Sequence, residues 1–193
     1  MTAKKRVAIV GFGNVAREAL AAVQESPDLE AAGIVLRNAA RVEAVQEETG
    51  VPVALLDVTS LGPVDAAVLA IASRAVPEVA PSYLARGICT VDSFDIHGEA
   101  VMDLRKELDA AGKAGNAAAV ICAGWDPGTD SVVRALLECI APKGITYTNF
   151  GPGMSMGHTV AVKALPGVKD ALSITLPKGT GLHKRYVYVT LQE

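Results

Sequence analysis

Arg6-Val7-Ala8-Ile9-Val10-Gly11-Phe12-Gly13-Asn14-Val15-Ala16 decides the fold of this chain. Val7 to Val10 form an apolar, β-branched run without polar alternation, the pattern of a strand buried on both faces of a parallel sheet. Gly11, Gly13 and Ala16 follow at the spacing of a dinucleotide-binding turn. Small residues there let backbone N–H groups at a helix start come close to a pyrophosphate, and alanine is permitted at the third position. From Val15 to Gln24, Val15, Ala19, Leu20 and Val23 share one helical face, and Ser26-Pro27-Asp28 breaks the helix. A glycine motif alone is weak. A strand before it and a helix after it favour cofactor binding over an inert turn.

Working outward, a second strand over Ala31 to Val35 ends at Leu36-Arg37-Asn38, and Val42 to Glu48 reads as a helix before Gly50. Strand patterns at Ala66 to Ile71, Ile88 to Val91 and Ala117 to Cys122 alternate with helical ones at Val76 to Ala85, Val101 to Leu108 and Thr129 to Ile140. Such alternation predicts an α/β fold, a Rossmann-type doubly wound parallel sheet, over residues 1–143. Beyond Pro142-Lys143-Gly144 the rhythm changes. Strands at Thr146 to Phe150, Val168 to Leu176 and Arg185 to Leu191, with one short helix, predict the start of an α+β substrate and dimerisation domain over 144–193. Three strands and a short helix make a thin layer, so this second domain reads as truncated.

Composition narrows the function. The chain has 193 residues, half of them apolar and 20% charged, with a net charge of -3. Such a chain buries a core and lacks the cationic excess that a nucleic acid partner requires. No apolar run of membrane-spanning length and no signal-peptide pattern is found, which predicts a cytoplasmic protein with small-molecule partners and no membrane partner. Cys89, Cys122 and Cys139 are odd in number, far apart and set in apolar runs, so they read as buried small hydrophobes without a disulfide framework. His97, His158 and His183 are too scattered for a metal motif, and no metal is expected.

Where an NAD enzyme places an acid after the second strand, this chain has Arg37 and Asn38. Arg37 suits a 2'-phosphate, which favours NADP, although a solvated loop arginine would read the same way. Gly11, Phe12, Gly13, Asn14, Val15, Arg37 and Asn38 are therefore the candidate cofactor-binding residues. Asp92 and Asp126 stand at strand ends bordering the expected crevice, where an acid can hold a substrate ammonium and take its proton before hydride leaves the carbon. Asp126, just before Pro127, is equally well placed to cap a helix. Thr175 and Arg185 suit a carboxylate, or simply a charged strand edge.

Taken together, several blocks resemble the meso-diaminopimelate dehydrogenase family over essentially the whole chain. They are Val7 to Val15, Thr90-Val91-Asp92-Ser93-Phe94-Asp95-Ile96-His97, Ala123-Gly124-Trp125-Asp126-Pro127-Gly128, Asn149-Phe150-Gly151-Pro152-Gly153-Met154-Ser155-Met156-Gly157-His158, Thr175-Leu176-Pro177 and His183-Lys184-Arg185. The resemblance implies NADP-dependent, reversible oxidative deamination of the D-centre of meso-2,6-diaminopimelate to L-2-amino-6-oxopimelate and ammonia, by a homodimer. It implies Asp92 and Asp126 as catalytic residues at the reacting amine. Trp125, Phe150, Met156 and Gly157 would shape the pocket, and Thr175 and Arg185 would take the distant carboxylate. Phe150 and Met156 are similar to the branch that also aminates some 2-keto acids to D-amino acids. The chain departs from the family pattern at Asn38, where many members carry a second arginine, and at Ala16, usually glycine. Family members also continue further, adding a His and an Asn to the substrate site. The competing expectation is an inactive NADP-binding fragment or sensor.

Overall fold

A computed structural model describes residues 3–96, 98–143, 153–154, 156–179 and 182–192. The chain divides into two compact units, Met1–Ala135 and Leu136–Glu193.

The first unit is built on six parallel strands: β1 (Lys5–Val10), β2 (Leu29–Leu36), β3 (Val53–Leu55), β4 (Ala66–Leu69), β5 (Cys89–Asp92) and β6 (Ala119–Val120), in the order β3-β2-β1-β4-β5-β6. Helices α1 (Asn14–Glu25), α2 (Val42–Thr49), α3 (Val76–Ala85) and α4 (Glu99–Gly115) connect them. The alternation of β1 explains both layers. Val7 and Ile9 join a core with Leu20 and Val23 of α1 and Val45 of α2, while Ala8 and Val10 face a second core containing Ala80, Tyr83 and Leu84 of α3 and Leu104 and Leu108 of α4. Ile9 and Ile34 are fully buried, each contributing about 1.5–3 kcal/mol relative to exposure. Strand order reverses between β1 and β4, so the crevice at their carboxyl ends is where an open α/β sheet takes a ligand.

Several expectations need correction. The pattern missed β3, three residues long beside Pro52. Helix α4 continues to Gly115, because Ala110, Ala111 and Ala114 are good helix formers that leave no large apolar marker, and it stops where Asn116 enters the left-handed region with φ 52°. The strand expected from Ala117 to Cys122 pairs only at Ala119–Val120, because it lies at the sheet edge and Cys122 turns to φ 57°. The cysteines are not uniformly buried. Cys89 and Cys122 are partly buried, and Cys139 is exposed in the last turn of α5 (Thr129–Ile140), where residues 135–140 are all exposed.

In the second unit, β7 (Gly153–Met154), β8 (Val168–Gly179) and β9 (Leu182–Leu191) form an antiparallel sheet in that order, and α6 (Met156–Lys163) packs on β8. The strand expected at Thr146 to Phe150 lies outside the described residues. Thr159 of α6 accepts the Ser173 N–H at 3.0 Å, and both residues are buried. Strand β9 is largely exposed along its length, from Tyr186 through Val189 to Leu191.

Candidate functional site

The glycine turn sits where β1 meets α1. Gly11 has φ 92°, and an added Cβ would lie 2.5 Å from the Ala70 carbonyl oxygen, so only glycine lets β1 turn this tightly beside β4. Gly13, the N-cap of α1, is different: a Cβ built there meets nothing within 4 Å. The space beside the first turn of α1 is open. No side chain caps that turn and no acid stands in it. Helix N-termini carry unpaired N–H groups and a partial positive charge, so this end can receive a phosphate. Asn14 and Val15 are exposed there, Ala16 is fully buried, and the Phe12 ring is buried beneath the Arg17 guanidinium at 4.3 Å from its centroid.

Arg37 follows β2 directly, is exposed, and has no partner among the described residues. Asn38 acts locally, since its Oδ1 accepts the Ala40 N–H at 3.0 Å and caps the 3-10 turn Ala39–Arg41. That turn brings Arg41 back to the glycine loop, where its Nη2 donates to the Phe12 carbonyl at 3.0 Å. Sequence patterns give no sign of Arg41, since no spacing rule points to it. The residues present fit a dinucleotide: an open cradle at Gly13, an uncapped helix N-terminus and a guanidinium without an acid partner.

Asp92 ends β5 at the carboxyl edge of the sheet and is 2% exposed. Its Oδ1 accepts the Phe94 N–H at 2.9 Å and the Cys122 N–H at 3.4 Å, while Oδ2 is buried with no partner among the described residues. Burial pushes this carboxyl above the ordinary aspartate value, and the two N–H donors only partly oppose that. The same burial, with the charges of Asp92 and Asp95 nearby, raises the Cys122 thiol. Ser73 donates to Asp95 at 2.6 Å, tying the chain after β4 to the chain after β5.

Asp126 does not cap α5. Its carboxylate meets Arg134 Nη2 at 2.6 Å, and the same guanidinium reaches buried Asp130 through Nε at 3.1 Å. Trp125 is 58% exposed. In the second unit Thr175 and Arg185 stand directly opposite each other on β8 and β9. Arg185 is half-buried, its Nε is buried with no partner among the described residues, and its Nη2 lies 3.4 Å from His183 Nε2. Met156 and Gly157 open α6, and Phe150 lies outside the described residues.

A parallel sheet of this order with a glycine turn at its switch point defines a dinucleotide-binding fold of the Rossmann class. Residues 5–92 match the oxidoreductase family with the NAD-binding Rossmann fold, and residues 124–188 match the diaminopimelic acid dehydrogenase C-terminal domain. A meso-diaminopimelate D-dehydrogenase of Bacteroides fragilis is 55% identical over 190 residues, which are 98% of this chain and 62% of that protein. The Corynebacterium glutamicum diaminopimelate dehydrogenase, solved in complex with DAP, superposes with a TM-score of 0.79 at 31% identity over 99% of this chain and 63% of that one. An engineered D-amino acid dehydrogenase bound to NADP+ gives 0.77 at 30% identity over 98% and 63%. This chain is a homologue of the meso-diaminopimelate D-dehydrogenases, and it spans about three fifths of the length of these relatives.

Proposed function

We propose that this chain provides the cofactor-binding domain and part of the substrate-binding domain of an NADP-dependent dehydrogenase. It would oxidise the D-centre of meso-2,6-diaminopimelate to L-2-amino-6-oxopimelate and ammonia, reversibly, in a homodimer. The observation that carries the reading is Asp92: a buried carboxylate at the crevice edge with one oxygen held by two N–H donors and the other bare. An unpartnered buried carboxylate is costly alone, and a substrate ammonium is the group that satisfies it.

Gly11, Phe12, Gly13, Asn14 and Val15 receive the pyrophosphate, and Arg37 meets the 2'-phosphate, with Asn38 fixing the turn that follows. The bound cofactor supplies the hydride acceptor. Asp92 and Asp126 hold the D-centre ammonium and take the proton it must lose before hydride can leave its carbon. Water then converts the resulting imine to the oxo group and ammonia. Thr175 and Arg185 bind the carboxylate at the L-centre, a fork suited to two oxygens. The family resemblance assigns Trp125, Phe150, Met156 and Gly157 to the substrate pocket, and the catalytic gain would come mainly from positioning. The resemblance of Phe150 and Met156 to the broader branch of the family extends the reading to reductive amination of some 2-keto acids to D-amino acids.

The test is incubation of the purified protein, with its intact mass recorded, with meso-diaminopimelate and NADP at alkaline pH while following NADPH absorbance. NADPH formation with the meso isomer and none with the LL isomer is expected. NADP binding without turnover would sink the dehydrogenase reading for this chain and leave a cofactor-binding protein.

A further inference from the structure

The 2'-phosphate of NADP carries close to two negative charges, and Asn38 gives it no cation. Its side-chain oxygen is already spent on the Ala40 N–H. Three arginines surround the turn. Arg17 lies over the Phe12 ring and is neutralised by Glu48 of α2. Arg37 and Arg41 have no carboxylate partner among the described residues, in a chain whose net charge is negative. Arg41 is also the better anchored of the two, since one N–H of its fork is fixed on the Phe12 carbonyl at 3.0 Å. Guanidinium offers five donors in a rigid plane, so that anchor leaves the rest of the fork available and orients it.

We propose that Arg41 is the second cation of the 2'-phosphate site, its guanidinium bridging the Phe12 carbonyl of the glycine loop and the phosphate, and that it sets the preference for NADP over NAD. The inference rests on the NADP reading above.

The experiment measures dissociation constants of NADP, NAD and 2',5'-ADP for the purified chain and for Arg41→Met, Arg41→Lys and Arg37→Met, with thermal unfolding of each as the folding control. Arg41→Met is expected to weaken NADP and 2',5'-ADP by about tenfold or more while NAD changes less than about twofold, because a charge-assisted hydrogen bond is lost. Arg41→Lys, which keeps the charge and loses the fork, should fall between wild type and Arg41→Met. Equal weakening of NADP and NAD by Arg41→Met would overturn the proposal and reduce Arg41 to a brace for Phe12. So would unchanged NADP affinity in Arg41→Met beside a loss in Arg37→Met. A wild-type chain that binds NADP no more tightly than NAD would instead overturn the NADP reading itself.

Discussion

The carboxylate of Asp126 and the guanidinium of Arg134 meet at 2.6 Å, eight residues apart across the start of α5. The pair is partly solvated, with side-chain exposures of 31% and 40%, and surface pairs of this kind contribute less than about 1 kcal/mol. Asp126→Asn is therefore expected to leave the unfolding free energy within about 1 kcal/mol of wild type, and on the proposed catalytic reading to lower turnover by about a hundredfold. Chemical denaturation and initial rates on one preparation check both halves. A large stability loss with normal turnover would return Asp126 to a structural role.

Asp92 has the opposite balance. Burial raises its folded pKa above the unfolded value, so the folded state holds a proton that the unfolded state has already released. Its favourable contribution is complete below the ordinary carboxylate pKa and is lost as pH rises through the folded pKa. Asp92→Asn should thus be at least as stable as wild type at pH 7, with the advantage shrinking as pH falls toward about 4, and on the proposed function should be inactive. Urea midpoints at stepped pH values show whether the two curves converge on the acid side.

The two glycines of the turn should behave differently. Gly11→Ala forces a left-handed backbone on alanine and drives its Cβ against the Ala70 carbonyl, at a cost of roughly 1–3 kcal/mol before the clash is counted. Gly13→Ala should fold with a loss below about 1 kcal/mol, reflecting a poorer N-cap, yet bind dinucleotide about tenfold more weakly because its methyl enters the open cradle. Calorimetry of ligand binding alongside thermal unfolding separates the two effects.

Asp57 gives a prediction away from the site. Hydrogen bonds from Thr59, then Arg86, hold its carboxyl at about 2, below the usual 3.8. The sign is that of a depressed acid: the contribution is complete above the ordinary value and disappears as pH falls from about 4 to about 2. Since the residue is half exposed, its worth is that of a cap, and Asp57→Ala should cost about 1 kcal/mol at neutral pH and little at pH 2. Acid titration of stability in the two proteins reads this out.

Thr175 and Arg185, cross-strand neighbours on β8 and β9, should act on binding more than on chemistry. On the proposed function, Arg185→Met is expected to raise KM for diaminopimelate by about tenfold or more with kcat nearly unchanged, and Thr175→Val to act in the same direction more weakly. Steady-state kinetics would count against the pair if kcat fell and KM did not move.

The first domain was legible because its signals are local. A β-branched run, a glycine turn and a period of 3.6 residues fall within residues 6–24, and each places its element without help from the rest of the chain. Strand β3 was not legible: Val53-Ala54-Leu55 is too short to show a period, and it exists because β2 offers it an edge at Ile34 to Leu36. Arg41 and Arg134 were missed because their partners, Phe12 and Asp126, are set by turns that bring distant or non-periodic positions together. The Asp130 and Arg134 spacing of four was a readable hint. Cys139 shows the limit of composition, for an apolar neighbourhood in sequence became an exposed helix end in α5.

The strand order carries one more consequence. Because β2 lies beside β1, everything assigned to the cofactor, from Gly11 to Arg41, is contiguous in the chain and closes upon itself through the contact of Arg41 with Phe12. On the proposed reading, coenzyme choice is an exchangeable cassette. Grafting residues 5–49 between homologues should transplant it whole, whereas swapping only the turn or only the end of β2 would split a unit that works by closure.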